Sequence, residues 1–245
     1  MQATPRTLSS PALEAQDFHS GSSYARGAQH PPLIEQTLGA FMDGMVARHG
    51  AAEALVCVHQ GLRYTYAQLQ QAARQLASAL LRQGLQPGDR VGIWSHNNAE
   101  WVLLQLATAE VGLVLVNINP AYRTSELEYA LNKVGCKALV SMRAFKTSRY
   151  LEMVRELAPE LATCPAGRLA ARRLPLLRLV CWIDVAGQGD DEAGMLRFSD
   201  LFAQGDPEDA AVARIAGSLD AHDPINIQFT SGTTCLLYTS PSPRD

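Results

Sequence analysis

Apolar positions along the chain change period twice before settling into alternation. Ile34, Leu38, Phe41, Met42, Met45 and Val46 form a stripe at helical spacing closed by Gly50, which predicts a first helix. Two short β-prone runs, 54–59 and 62–66, flank Gln60-Gly61, a two-residue turn that predicts a hairpin. Thr65-Tyr-Ala-Gln68 then has the spacing of a capping box, in which a hydroxyl and an amide satisfy the free N–H groups of a new helix. The apolar face of that helix is Leu69, Ala73, Leu76 and Leu80, and Gly84 ends it.

Beyond Gly84 the pattern alternates strand and helix. Strands are expected over 91–94, 113–116 and 138–141, with helices over 99–111 and 125–134, the latter opened by Ser125-x-x-Glu128 as a second capping box. A helix over 146–157, a strand over 177–183, a helix over 207–216 and a strand over 225–229 complete the series. Such alternation predicts an α/β fold, a parallel sheet with crossover helices preceded by the hairpin. Residues 163–174, with Pro165, Gly167, Arg168, Arg172 and Arg173, are expected to form an exposed connector. There is no internal repeat.

Length and charge exclude some classes. The 245 residues suffice for one large domain or two small ones. A formal charge of -3 supplies no general attraction to phosphate backbones, so no nucleic acid partner is expected. The five cysteines, Cys57, Cys136, Cys164, Cys181 and Cys235, include no C-x-x-C pair, which argues against a zinc site or a disulfide framework and for a reducing compartment. No apolar run approaches the roughly 18–20 residues of a membrane span, so no transmembrane segment is expected. Residues 1–32, rich in Ser, Gly, Ala, Gln and His without periodicity, fit a flexible arm. Arg6, Ser9, Ser10 and Arg26 would suit an organelle transit peptide, but Glu14 and Asp17 count against one. The expected location is therefore the cytoplasm, with the mitochondrial matrix as the alternative.

The richest chemistry lies in Asp223-Pro-Ile-Asn-Ile-Gln-Phe-Thr-Ser-Gly-Thr-Thr234, an apolar strand running into a cluster of hydroxyls around one glycine. Thr230, Ser231, Gly232, Thr233 and Thr234 can turn several N–H groups and hydroxyls toward one anion, Gly232 being free to take a positive φ. They are the candidate phosphate-binding residues. A dinucleotide fingerprint is excluded, because Ser95-His-Asn-Asn98 follows the 91–94 strand without a glycine. The G-x-x-x-x-G-K-[ST] phosphate loop is absent as well.

The run at 230–234 resembles the phosphate loop of the adenylate-forming (AMP-binding) enzymes. Three further segments carry the likeness: Tyr64-Thr-Tyr-Ala-Gln-Leu69, Gly84-Leu-Gln-Pro-Gly-Asp-Arg-Val-Gly-Ile93 and the stretch opening Val116-Asn-Ile-Asn-Pro-Ala-Tyr-Arg123. Together they look most like medium-chain fatty-acyl-CoA synthetases, over about residues 33–234. The resemblance implies a ligase that joins a fatty acid to ATP as an acyl-adenylate, releases pyrophosphate and passes the acyl group to coenzyme A. ATP, Mg2+ and coenzyme A are the implied co-substrates and cofactors. The loop would hold the outer phosphates and stabilise the departing charge.

After Thr234 the likeness stops. The family pattern continues Gly-x-Pro-Lys-Gly, whereas Cys235, Leu237, Tyr238 and Thr239 stand at the four fixed positions. Removing one charged or oxyanion-type donor typically costs on the order of 10²–10³ in rate, so a chain with this tail is expected to be inactive. No catalytic residue can be assigned within it. The expected organisation is an arm over 1–32, the N-terminal portion of a synthetase domain over 33–234 and an aberrant or foreign tail over 235–245, without the family's C-terminal domain. Two accounts of the tail stand: altered coding sequence, or a naturally shortened protein. The latter fits a non-catalytic interaction or nucleotide-binding role, and an adenylating enzyme for another carboxylic acid is a further alternative.

Other polar residues have plain structural readings. His96 is expected to cap a helix or bond within its loop. Trp101 and Leu104 belong to core, and Glu126 and Glu128 are first-turn charges. Asn117, Asn119, Pro120, Tyr122 and Arg123 form a strand-end loop that suits either structure or the edge of a substrate channel.

Overall fold

A computed structural model describes residues 30, 33–184 and 190–229. The chain divides after Ile34, and every element below belongs to the unit that begins at Glu35. Eight strands and seven α-helices occur among the described residues: α1 (Leu38–His49), β1 (Glu53–Cys57), β2 (Leu62–Thr65), α2 (Tyr66–Arg82), β3 (Arg90–Trp94), α3 (Ala99–Glu110), β4 (Val114–Asn117), α4 (Thr124–Val134), β5 (Cys136–Met142), α5 (Tyr150–Leu157), β6 (Leu179–Ile183), β7 (Leu196–Arg197), α6 (Phe198–Ala203), α7 (Ala210–Ala216) and β8 (Asn226–Gln228).

Strands β3 to β8 form one parallel sheet in the order β7-β6-β5-β3-β4-β8, and β1 and β2 form the separate antiparallel hairpin. Because successive strand residues face opposite sides, each strand feeds two cores. Val91, Ile93, Leu113, Leu115, Ala138, Val140, Leu179, Cys181 and Ile183 pack against α2, α3 and α6. Val116, Leu139, Val180 and Trp182 pack on the opposite face with α4 and α5. Gly92, central in β3, faces that second core, where an added Cβ would lie 3.0 Å from Ile118 and 3.2 Å from Leu139.

Local signals are realised closely in α2. Thr65 Oγ1 accepts from the Gln68 N–H at 3.3 Å while the Thr65 N–H donates to Gln68 Oε1 at 2.9 Å, which makes the capping box. Leu69, Ala73, Leu76 and Leu80 are all buried. Gly84 at φ 83 reverses the chain, as a left-handed helix terminus requires.

Elsewhere the structure corrects the pattern. The first helix starts at Leu38, where Thr37 Oγ1 caps the Ala40 N–H at 3.2 Å, leaving Ile34 outside the helix. The hairpin is connected by a 3₁₀ turn over Val58–Gln60 followed by Gly61 at φ 66, longer than a two-residue turn. Helix α4 begins one residue early with Arg123 as N-cap, and Glu126, not Glu128, accepts the cap N–H at 2.8 Å. Helix α5 begins only at Tyr150, because Lys146 adopts φ 52 and Phe145 and Ser148 bridge to each other. Helix α7 begins at Ala210, after the Asp209 cap. The 163–174 segment is not a purely exposed connector: Leu169, Ala171 and Leu174 are buried in the α4/α5 core. Strand β7 and helix α6 have no counterpart in the apolar pattern.

Candidate functional site

Parallel strands bring all their carboxyl ends to one edge of the sheet. Residues 230–234 lie outside the described residues, but the strand leading to them is fixed. In β8, Asn226, Ile227 and Gln228 pair with Leu115, Val116 and Asn117, and the Leu115 N–H donates to the Ile225 carbonyl at 3.0 Å. Ile227 and Phe229 pack against the α4/α5 core, and Asn226 Nδ2 donates to Gln105 Oε1 of α3 at 3.1 Å. The sheet therefore presents Phe229 at its carboxyl edge beside Asn117, whose Oδ1 is buried without a hydrogen-bond partner.

At the same edge, β3 and β5 send their following helices to opposite faces: α3 joins one core and α5 the other. That divergence is the topological switch point at which open α/β sheets hold ligands. The turn leaving β3 is tightly bonded. Asn98 Oδ1 caps α3 by accepting from the Trp101 N–H at 2.9 Å, while its Nδ2 donates to Ser95 Oγ at 2.7 Å. His96 is therefore not the cap. Its Nδ1 lies 2.9 Å from the Asn97 carbonyl, and its ring sits 5.8 Å from that of His59 and 5.2 Å from that of Phe145.

The hairpin reaches over this edge and encloses a cavity of about 530 Å³ lined by the hairpin, the start of α3, the ends of β5 and β6, and α6. Its anchor is Gln60. The Gln60 Nε2 donates to both oxygens of Glu100 at 3.0 and 2.8 Å, and Oε1 accepts from the Ala99 N–H at 2.8 Å. Across the cavity Asp184 accepts from the N–H and Oγ of Ser199 at 3.1 and 2.8 Å. Burial, and secondarily the Glu100 charge, push the Tyr64 phenol above its ordinary range, keeping it protonated. A second, more open cavity of about 450 Å³ shares His59 and His96 and adds Asn97, Pro120 and Phe145.

The loop after β4 is tied to the core at Asn119 and Pro120, the latter also lining the second cavity. Trp94 Nε1 donates to the Asn119 carbonyl at 3.1 Å, Tyr150 donates to the Pro120 carbonyl at 2.6 Å, and the two rings stack at 3.9 Å. Trp101 and Leu104 pack in the core as expected. Glu128 is more than a first-turn charge: Arg173 bonds it bidentately at 2.9 and 2.6 Å and draws its carboxyl below the usual range. Sequence reasoning did not single out Gln60, Glu100, Asp184 or Ser199. The Gln60-Gly61 turn was the available signal, since a tight turn aims the residue before it. Among the described residues no three His, Cys, Asp or Glu side chains converge as a metal site, and no helix is long and apolar enough to cross a membrane.

Comparison with known proteins fits this arrangement. The profile of AMP-binding enzymes matches residues 43–236, which includes the hydroxyl-rich loop. The mitochondrial medium-chain acyl-CoA ligase ACSF2 of Rattus norvegicus is 43% identical over 216 residues, covering 87% of this chain and 34% of that protein. Its Danio rerio counterpart is 39% identical over 214 residues, with the same 87% and 34% coverage. The chain thus spans about a third of the length of the curated relatives it matches. Two solved structures share the fold at a TM-score of 0.61: the anthranilate CoA ligase AuaEII in complex with anthranoyl-AMP, 21% identical over 82% of this chain and 33% of that one, and apo MbtA of Mycobacterium smegmatis, 22% identical over 82% and 32%. With the profile spanning residues 43–236, most of its length, the chain belongs to the AMP-binding enzyme family.

Proposed function

We propose that residues 33–234 are the N-terminal portion of an ATP-dependent fatty-acyl-CoA ligase. The carrying observation is the 43% identity to a medium-chain acyl-CoA ligase over 216 residues. The delivery of β8 to the carboxyl edge of the sheet supports it. In the reaction, a fatty-acid carboxylate attacks the α-phosphorus of ATP, pyrophosphate leaves, and the coenzyme A thiol then displaces AMP from the acyl-adenylate. Backbone N–H groups at Ser231, Gly232 and Thr233, with the hydroxyls of Thr230, Ser231, Thr233 and Thr234, are the groups proposed to hold the outer phosphates. Magnesium would be carried chiefly by those phosphates, in keeping with its preference for phosphate oxygens and water over an all-protein cage. The mitochondrial matrix is the proposed location, since the relatives named above are mitochondrial.

With Cys235, Leu237, Tyr238 and Thr239 in place of the family's fixed residues, this chain should bind nucleotide without turning it over. Thermal unfolding with and without MgATP, run beside octanoate-dependent ATP–pyrophosphate exchange, tests both halves. A raised midpoint with no exchange is expected, since a ligand that binds only the folded state stabilises it by mass action. An unmoved midpoint at saturating MgATP would remove the nucleotide site, and measurable exchange would overturn the inactive reading.

A further inference from the structure

The cavity beneath the hairpin has a character that phosphate binding does not use. At about 530 Å³ it falls within the roughly 300–1,000 Å³ range of small-molecule sites. Leu62, Leu103, Met142, Ile183, Phe198 and Phe202 give it apolar walls, and two carboxylates, Glu100 and Asp184, line it with no Lys or Arg among the lining residues. Both carboxylates are positioned by neutral donors, Gln60 and Ser199. A carboxylate has about four acceptor positions, so each retains capacity for another donor. Arg197 feels the charge of Asp184, but its Nε is bonded to Asp191 at 2.7 Å and its guanidinium lies 5.1 Å from the Trp182 ring centre, outside the cavity lining. The remaining titratable groups on the lining are His59, His96 and Tyr64.

We propose that this cavity binds a small amphipathic cation, an apolar or aromatic body carrying a protonated amine received by Glu100 and Asp184. Anionic molecules, including a fatty-acid carboxylate or a nucleotide phosphate, would meet like charge there. The Asp184 end of the cavity is also set apart from β8. Strand β6, which leads into Asp184, stands four strand steps from β8, roughly 19 Å at the usual interstrand spacing.

Three probes of similar shape separate charge from mere apolar burial: 2-phenylethylamine, 2-phenylethanol and 3-phenylpropanoate. Isothermal titration calorimetry in one buffer at about pH 8 compares them. The amine should bind about tenfold or more tightly than the alcohol, with the carboxylate weakest, as expected for a charge pair near a protein surface. Glu100→Gln can still accept from Gln60 yet should lower amine affinity about tenfold while leaving the alcohol unchanged, and Asp184→Asn should act alike. Unfolding midpoints of the free variants confirm that each is folded, and either variant suffices if the other fails. Equal affinity for the three probes, absence of amine binding, or an unchanged amine affinity in a folded variant would overturn the proposal. Saturating MgATP should leave amine affinity unchanged, and competition between the two would overturn the separation of the sites.

Discussion

Strands β3 and β8 belong to the same sheet but are secured very differently. Strand β3 is paired on both sides, and Val91, Ile93 and Trp94 are fully buried. Strand β8 has three residues, pairs only with β4 among the described residues and is half exposed. The turn leaving β3 is bonded at Ser95, Asn98, Gln60 and Glu100, whereas the chain leaving β8 follows a strand held by few contacts. The interior of the sheet therefore builds the crevice, while the candidate phosphate loop follows a short edge strand. An edge strand with one neighbour gains about half the ladder bonds of a central one and buries less side-chain area, so the difference should be measurable.

The largest effect is expected at Trp94. Trp94→Ala removes the stack on Tyr150 and the bond to Asn119, and should cost about 3–5 kcal/mol in urea unfolding. A loss under about 1 kcal/mol would mean that the central strand is not the anchor described. Next is Arg74, which bonds Glu110 and Asp43, both at 2.7 Å, with the Glu110 carboxylate almost buried. Arg74→Ala leaves that carboxylate without its ion-pair partner. Because Arg74 is itself 35% exposed, the cost is set at about 2 kcal/mol, below the range for fully buried pairs. Adding Glu110→Gln should recover part of it, and an unrecovered loss would point to packing instead.

A smaller effect depends on pH. Burial pushes the Cys136 thiol, paired in register with Arg90 of β3, from its ordinary 9.0 to about 12. A raised folded value favours the protonated thiol, so its contribution is complete below pH 9 and is lost as pH rises toward 12. By about pH 10 the loss is roughly 1.4 kcal/mol. Cys136→Ala should flatten the stability curve by that amount between about pH 8 and 10, and parallel curves would contradict the shift. The smallest effect is assigned to β8: Ile227→Ala should cost under about 1 kcal/mol, less than is usual for a core truncation. A cost comparable to that of Trp94→Ala would abolish the contrast between the two strands.

Much of the fold was legible because its signals are local. The Thr65/Gln68 box, the face of α2 and the alternation from β3 to β5 depend on residues within a turn or two of one another. The connector at 163–174 was misread because its arginines, proline and glycine hide three buried residues, Leu169, Ala171 and Leu174. Strand β7, two residues long, owes its existence to β6 rather than to any period of its own. The cavity could not be read because Gln60 meets Glu100 across 40 positions and Asp184 meets Ser199 across 15. The loop at 230–234 is the reverse case, proposed from residue types alone and lying outside the described residues, which reach Phe229.

Equilibrium dialysis of MgATP against the 245-residue protein and its Gly232→Val variant tests the central claim most directly. Saturable binding that is lost in Gly232→Val but retained in Glu100→Gln is the predicted result. No binding by the parent protein, or equal binding by the Gly232→Val variant, would contradict the assignment of the nucleotide to the loop that follows β8.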